Sequence, residues 1–225
     1  AVLSSPATEP AMSEKQANLV RQALLQAGHR ARLRHLREHR DQFRPELAAA
    51  FVAEADALVR ADPLGAIERA KLALFVARKL GDRRAEAEAQ RALADACMVS
   101  SRFARGLRAL DGAVAAARTV DEAWAARLDA LRVHPLVHLE RYDEARQVGL
   151  VVVLAFEGIE DKRPLIRAHM ALADLEFRLD RSREALRHYA RVEALLPPDA
   201  PARIRAVLAA NRANALEACR RFRAA

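Results

Sequence analysis

The chain has 225 residues, of which 52% are hydrophobic and 30% charged, so intrinsic disorder is excluded as a description of the whole chain. Aromatic residues make up only 4% and there are seven glycines, which is poor material for a strand-rich sandwich or barrel. The formal net charge is +8. Over most of the chain the basic side chains are interspersed with Asp and Glu, which predicts solvent-exposed helix faces.

The cysteines and the apolar runs predict a cytoplasmic protein. Cys97 and Cys219 lie far apart, each within an apolar helical pattern, so we expect no disulfide framework. The first residues lack the basic flank and apolar core of a signal peptide. The longest apolar run, Leu150–Phe156, is far shorter than the roughly 20 residues of a membrane span, so no membrane partner is expected.

A leader and a basic helix come first. Residues 1–13 are small, polar and contain proline, and they predict a flexible leader. Residues 14–44 are helix-forming and increasingly basic until Pro45 breaks the pattern, so they predict one basic N-terminal helical cap.

The strongest charge cluster of the chain lies in this cap. Six arginines between His29 and Arg44 oppose only Glu38 and Asp41. Such a cluster can bind phosphates, with Arg30, Arg34 and Arg37 as the candidate anion-binding residues. The alternative is a capping helix in which Leu33, Leu36 and Phe43 pack on the next element while the arginines stay exposed.

Helical hairpins follow from residue 45 to residue 225. Their register is set by the tetrads that begin at Pro63, Phe103, Tyr142, Ser182 and Phe222, which are 40, 39, 40 and 40 residues apart. The fourth residue of each tetrad is small: Ala66, Gly106, Ala145, Ala185 and Ala225. Because a large side chain would push two helices apart, small residues at this position predict close helix crossings.

The pattern resembles the tetratricopeptide repeat family, in which a Leu-small pair precedes a small residue on the second helix. The matching residues are Leu93-Ala94 with Gly106, Leu110 and Ala113, then Leu172-Ala173 with Ala185, Tyr189, Val192 and Pro197, and more weakly Val133, Ala145, Gly149 and Val152. The period near 40 exceeds the usual 34 of the family, so longer helices are expected.

The resemblance implies an all-α fold, a right-handed superhelical solenoid of antiparallel helical hairpins. The implied units are 46–81, 82–120, 121–160, 161–197 and an incomplete 198–225. Because the last unit stops within a hairpin, we expect a fragment of a larger protein. The segment Asn211–Leu216 also resembles the repeat arrays that precede caspase-like CHAT protease domains in bacteria.

No catalytic, cofactor or metal site is predicted within these residues. The sequence contains neither a Gly-rich phosphate loop nor a Gly-x-Ser-x-Gly elbow, and both cysteines fit buried, inert positions. His35 and His39, like His134 and His138, are four residues apart and form half of a zinc site, but no third ligand is evident. Between the latter two, Pro135 predicts a helix kink.

The resemblance places a partner-binding groove on the first helices of the hairpins. Its candidate residues are Arg91, Asp95, Arg127, His134, His138, Arg167, Asp174, Asn211 and Asn214. They do not match the paired Lys and Asn of the family's carboxylate clamp, and the two aspartates would repel a C-terminal carboxylate. The alternative is that these side chains only solvate the inner face or pair with each other.

We therefore expect a non-catalytic protein-protein interaction scaffold. It would bind a peptide or protein segment, or another domain of the same full-length chain, in the groove. The alternatives are a regulatory region of a CHAT-type protease and a nucleic-acid-binding module that uses the basic helix.

Overall fold

The computed structural model describes residues 13–224, without the side chains of residues 221–224. The predicted leader, except for Ser13, lies outside the described residues, as do Ala225 and the side chains of its tetrad. Within the described residues the chain is helical and contains no strand, which confirms the all-α prediction. None of the described helices is both long enough and apolar enough to cross a membrane.

The helices are α1 (Glu14–Leu25), α2 (His29–Glu38), α3 (Pro45–Leu58), α4 (Pro63–Leu80), α5 (Arg83–Val99), α6 (Phe103–Arg118), α7 (Glu122–Asp129), α8 (Val133–His138), α9 (Tyr142–Phe156), α10 (Arg163–Arg178), α11 (Ser182–Leu195) and α12 (Ala202–Ala224). Short 3-10 turns occupy Arg40–Gln42 and Ala130–Arg132. The chain divides into two compact units. Unit 1 comprises residues up to 102 with 115–120, and unit 2 comprises 103–114 with the residues from 121 onward.

The N-terminal segment of unit 1 contains two helices where the sequence predicted one. The chain leaves the helical conformation between α1 and α2, where Gly28 has a φ of 81°, a value that L side chains rarely adopt. Leu36 and Phe43 are buried and Leu33 packs against the same core. The apolar side of α2 therefore faces the protein, as a capping helix requires.

The rest of unit 1 is the α3–α4 hairpin followed by α5. Asp62 and Asp82 begin α4 and α5 as N-caps, because their carboxylates accept hydrogen bonds from the backbone N–H groups of Gly65 and Ala85 at 2.9 and 3.0 Å. The core of the unit is apolar and fully buried; it includes Leu47, Phe51, Leu72 and Val76.

In unit 2 the helix that contains Pro135 is interrupted, as the sequence predicts. It consists of α7, the 3-10 turn Ala130–Arg132 and α8. Proline removes one backbone donor, and its ring clashes with the carbonyl four residues earlier, which here belongs to Leu131 within the 3-10 turn. The α10–α11 hairpin then packs on α9 and α12.

Among the described residues, three helices end in a left-handed turn whose left-handed residue is not glycine. Ser101, Glu140 and Asp180 have φ values of 56°, 58° and 57°, at positions 39 and 40 residues apart. In each turn the next residue donates its backbone N–H to a carbonyl five residues earlier: Arg102 to Cys97, Arg141 to Leu136, and Arg181 to Glu176, at 2.8, 2.9 and 2.8 Å. The sequence period thus coincides with a repeated backbone conformation.

The small residues of the four tetrads whose side chains the structure describes are buried. Ala66, Ala145 and Ala185 have no exposed surface, and Gly106 is also buried. Gly149 shows how closely α9 approaches α10, since a Cβ atom on this residue would lie 2.7 Å from Cδ2 of Leu172. These positions accept only small side chains.

Candidate functional site

An open groove lies between α3 and α5, the first helices of two successive predicted hairpins in unit 1. Its volume is about 860 Å³. The apolar part of the lining consists of small side chains: Pro45, Ala48, Ala49, Ala50, Val52, Ala53 and Ala85. Four acidic and two basic side chains complete the lining: Glu46, Asp56, Asp82, Glu88, Arg84 and Arg91. The groove is therefore acidic, although the whole chain is basic.

Arg91 is the centre of an ion-pair network at this groove. Its guanidinium donates to Asp56 at 2.8 Å, to Glu88 at 2.9 Å and to Asp95 at 2.8 Å. Burial acts to lower the pKa of Arg91, but the hydrogen bonds to Asp56 and Glu88 outweigh it and raise the pKa above the ordinary value. Three carboxylates thus hold the Arg91 side chain in place. One of them is Asp95, so two of the predicted groove residues pair with each other.

A second group of predicted residues comes together in unit 2. The rings of His134 and His138 on α8 have centroids 4.5 Å apart. The Phe103 ring stacks on His138 with a centroid distance of 4.1 Å and an interplanar angle of 3°. Desolvation lowers the pKa of His134, His138 lowers it further, and the carboxylate of Asp174 opposes this shift. Desolvation lowers the pKa of His138 as well, so both rings are biased towards the neutral form.

Asp174 connects this histidine pair to the last predicted residues. Its carboxylate accepts a hydrogen bond from Arg178 at 3.3 Å. Tyr189 is buried, and its side chain is hydrogen-bonded to that of Asn211. Burial raises the pKa of Tyr189, and the nearby Asp174 raises it further, so the phenol stays protonated.

The remaining predicted groove residues are exposed. Arg127 lies on α7, Arg167 on α10 and Asn214 on α12. In the part of the chain that the structure describes, none of them is hydrogen-bonded to the histidine pair or to Asp174. The structure therefore brings His134 and His138 into contact, and the carboxylate of Asp174 is near enough to influence the pKa of both rings.

Two contact partners of the candidate residues were not predicted from the sequence. Asp56 lies 35 residues before Arg91, and nothing in the sequence connects the two residues. The position of Phe103 in the hairpin was predictable, because it is the first residue of a tetrad. Its stacking on His138 nevertheless depends on the angle between two helices, which the period does not define.

The candidate anion-binding residues Arg30, Arg34 and Arg37 are exposed on α2. The Arg37 guanidinium lies over the Phe75 ring, 5.6 Å from its centroid, and the Lys79 ammonium is 6.0 Å from the same centroid. The basic face of α2 thus continues onto α4.

No third ligand beside His35 and His39 was predicted from the sequence, and in the structure Glu38 lies next to them. Ligand atoms of these three residues lie within 4.8 Å of one another. Cys97 is fully buried, as predicted, while Cys219 is half-buried.

No protein-family model matches the chain, and none of the curated proteins matches it.

Proposed function

We propose that the protein is a non-catalytic interaction scaffold of the tetratricopeptide-repeat type, a right-handed superhelical solenoid whose first helices bind a peptide or protein segment. The observation that carries this proposal is the open groove between α3 and α5. The repeated left-handed turns and the buried small residues at the same period support the repeat architecture.

The lining of the groove indicates the chemistry of the segment. Alanine side chains leave room for an approaching backbone and for small or medium apolar side chains. Four carboxylates against two guanidinium groups give the lining an excess of negative charge. Charge complementarity of this kind favours a cationic partner, and it contributes to association rate and selectivity. We therefore assign to the groove a segment in which Lys or Arg alternates with small apolar residues.

The histidine pair of unit 2 is a second candidate contact surface of the scaffold. Phe103, His134 and His138 form an aromatic group with Asp174 and Arg178 at its edge. Aromatic side chains with polar edges are frequent at protein interfaces because they combine apolar area with hydrogen bonding.

A groove-blocking variant tests the proposal. Ala53 is exposed on α3 and lines the groove, so Ala53→Trp fills the groove without disturbing the core. Ala115 is exposed on α6 in the same unit and does not line the groove, so Ala115→Trp is the matched control. The probes are fluorescent peptides that alternate Lys with small apolar residues, and the same peptides with Glu in place of Lys.

Fluorescence anisotropy at low and at physiological salt gives the readout. We expect the Lys peptides to bind the wild type and the Ala115→Trp variant, and to lose binding to Ala53→Trp. Equal binding to all three proteins, or a preference for the Glu peptides, would refute a cationic segment in the groove.

The exposed arginines of α2 favour nucleic acid as the alternative partner. Arg30, Arg34 and Arg37 project from neighbouring turns of one helix, and their phosphate contacts would make binding steeply salt-dependent. Changing all three to Glu should then abolish binding of a DNA or RNA duplex. A duplex affinity that this triple variant leaves unchanged would remove the alternative.

A further inference from the structure

We propose that His35, Glu38 and His39 form a binding site for a borderline divalent metal ion of the Zn²⁺ class on α2. Glu38 and His39 follow His35 by three and four residues, which is about one helical turn, and His39 is the residue directly after α2. The ligand atoms of the three residues lie within 4.8 Å of one another. Two ligands of one tetrahedral zinc ion are roughly 3.3 Å apart, given metal-ligand bonds of about 2.0–2.1 Å. Small side-chain rotations therefore suffice to bring all three atoms onto one ion.

The hydrogen bonding of His39 prepares this residue for coordination. Its Nδ1 lies 2.9 Å from the carbonyl oxygen of His35. Since a carbonyl only accepts, Nδ1 carries the proton and Nε2 presents its lone pair. Histidines that bind metals commonly donate their other ring nitrogen to a carbonyl or carboxylate in this way, which fixes the tautomer and the ring orientation.

His35 has a nitrogen without a partner. Its Nε2 is shielded from solvent and forms no hydrogen bond. A buried polar atom that lacks a partner is costly, and such atoms are rare in folded proteins. The His35 and His39 rings have centroids 4.5 Å apart, so a metal ion bound by His39 is within reach of this nitrogen. Coordination by the unprotonated form of this nitrogen would supply the partner that the protein alone does not.

The ligand types select the metal. Two imidazoles and one carboxylate suit Zn²⁺ and its neighbours Co²⁺, Ni²⁺ and Cu²⁺, whereas Mg²⁺ and Ca²⁺ prefer oxygen ligands. Glu38 provides the one negative charge of the ligand set, which offsets part of the positive charge of Arg34 and Arg37, its neighbours in sequence. With three protein ligands, the remaining position of a tetrahedral ion is open to water.

The proposal is independent of the partner-binding groove, because it concerns a different surface of unit 1. A bound ion would connect the last turn of α2 to His39, the residue that ends this helix, next to the 3-10 turn Arg40–Gln42. It would thus stabilise the C-terminal end of the basic helix by binding only the folded form.

The test is a titration of the whole chain with Zn²⁺ in competition with a chromophoric chelator, repeated with Mg²⁺. We expect one Zn²⁺ site in the wild type and no response to Mg²⁺. His39→Ala and Glu38→Gln should each weaken Zn²⁺ binding by at least roughly 10-fold. Loss of a residue that only hydrogen-bonds to a metal ligand already costs about that much affinity, and a direct ligand should cost no less. Glu38 is exposed and Gln has the same shape, so this variant keeps the fold.

His134 and His138 provide the matched control, since they have the same spacing but Val137 in place of the carboxylate. The double variant His134→Ala/His138→Ala should bind Zn²⁺ like the wild type. Nitrogen-15 NMR of the imidazoles should show Zn²⁺-dependent shifts of the His35 and His39 resonances. The site is disproved if His39→Ala binds as tightly as the wild type, if the wild type binds no Zn²⁺, or if only the control variant loses binding.

Discussion

His169 on α10 and His188 on α11 face each other with their Nδ1 atoms 3.0 Å apart. At this distance one nitrogen donates and the other accepts, so the two atoms share a single proton. His169 is only 7% exposed, and desolvation, together with His188 and Arg191 and against the opposing Glu157, lowers its pKa to about 4. Desolvation and Arg146 lower the pKa of His188, while Glu176 opposes them.

This pair should make unit 2 sensitive to acid. An unfolded histidine binds its proton near pH 6.5, whereas folded His169 does so only near pH 4. Between these values the unfolded chain binds more protons than the folded chain. The free energy of unfolding is therefore unaffected by His169 above pH 6.5 and decreases as the pH drops towards 4. His169 alone contributes about 3 kcal/mol to this loss once the pH is below 4.

The measurement is urea unfolding at pH 7.5 and at pH 4.5. We expect His169→Leu to lose less stability than the wild type over this interval. Gln147→Leu introduces the same side chain at an exposed site of α9 without removing a titrating group, and it should retain the wild-type pH dependence. If His169→Leu and the wild type lose equal stability, the pair does not control the acid response.

Substitutions at Gly149 and Leu172 should have non-additive effects on the free energy of unfolding. In Gly149→Ala the new Cβ would lie 2.7 Å from Cδ2 and 2.8 Å from Cγ of Leu172, which is itself buried. We expect a loss of about 1–3 kcal/mol from this overpacking. Leu172→Ala alone should cost about 2–5 kcal/mol through the cavity that it leaves.

The double variant decides whether contact between these two residues is the cause. The added methyl group of Gly149→Ala partly fills the cavity of Leu172→Ala, so the double variant should lose less free energy than the sum of the single variants. Additive losses in denaturant unfolding would contradict a direct clash.

A buried carboxylate should make Arg146 important for stability. Glu176 is 6% exposed, accepts a hydrogen bond from Arg146 at 2.7 Å and lies 3.6 Å from Arg181. Arg146→Met leaves this carboxylate with the more distant guanidinium alone, and we expect a loss of roughly 1–3 kcal/mol in chemical unfolding.

Two further variants test that explanation. Arg146→Met/Glu176→Leu removes both charges and should recover most of the lost stability, as apolar replacement of buried ion pairs often does. Arg141→Met breaks the exposed pair with Glu144 and should cause a smaller loss than Arg146→Met. If the two single Met variants are equally unstable, burial of Glu176 is not the cause.

Arg91→Met should increase the affinity of the groove for cationic peptides. The change releases Asp56, Glu88 and Asp95 from their shared guanidinium and makes the lining more negative. We expect tighter binding of the Lys peptides at low salt and a steeper decrease with added salt. Arg60→Met removes the same charge from an exposed site that does not line the groove. An equal gain in both variants would indicate a net-charge effect and not a local one.

The sequence predicted the features that depend on helical period and on single residues. The buried Ala66, Ala145 and Ala185 follow from the tetrads, and the interruption before Pro135 follows from the missing backbone donor. The break at Gly28 also carried a signal, because glycine there permits a conformation that ends the basic segment between two helices.

Contacts between side chains of separate helices could not be predicted from the sequence. Whether Arg91 reaches Asp56, or His169 meets His188, depends on how one helix is rotated about its axis against another. Glu38 is different, because its position three residues after His35 already places both on one helix face. That carboxylate could have been identified from spacing alone.

The left-handed residues Ser101, Glu140 and Asp180 also have a practical consequence for protein engineering. All three are exposed, and a residue with a Cβ atom in this conformation costs about 1 kcal/mol that glycine would not. Glycine at each site would relieve this strain without removing a buried contact. Three separate turns therefore offer a route to a more heat-resistant version of the protein that leaves every groove and histidine cluster untouched.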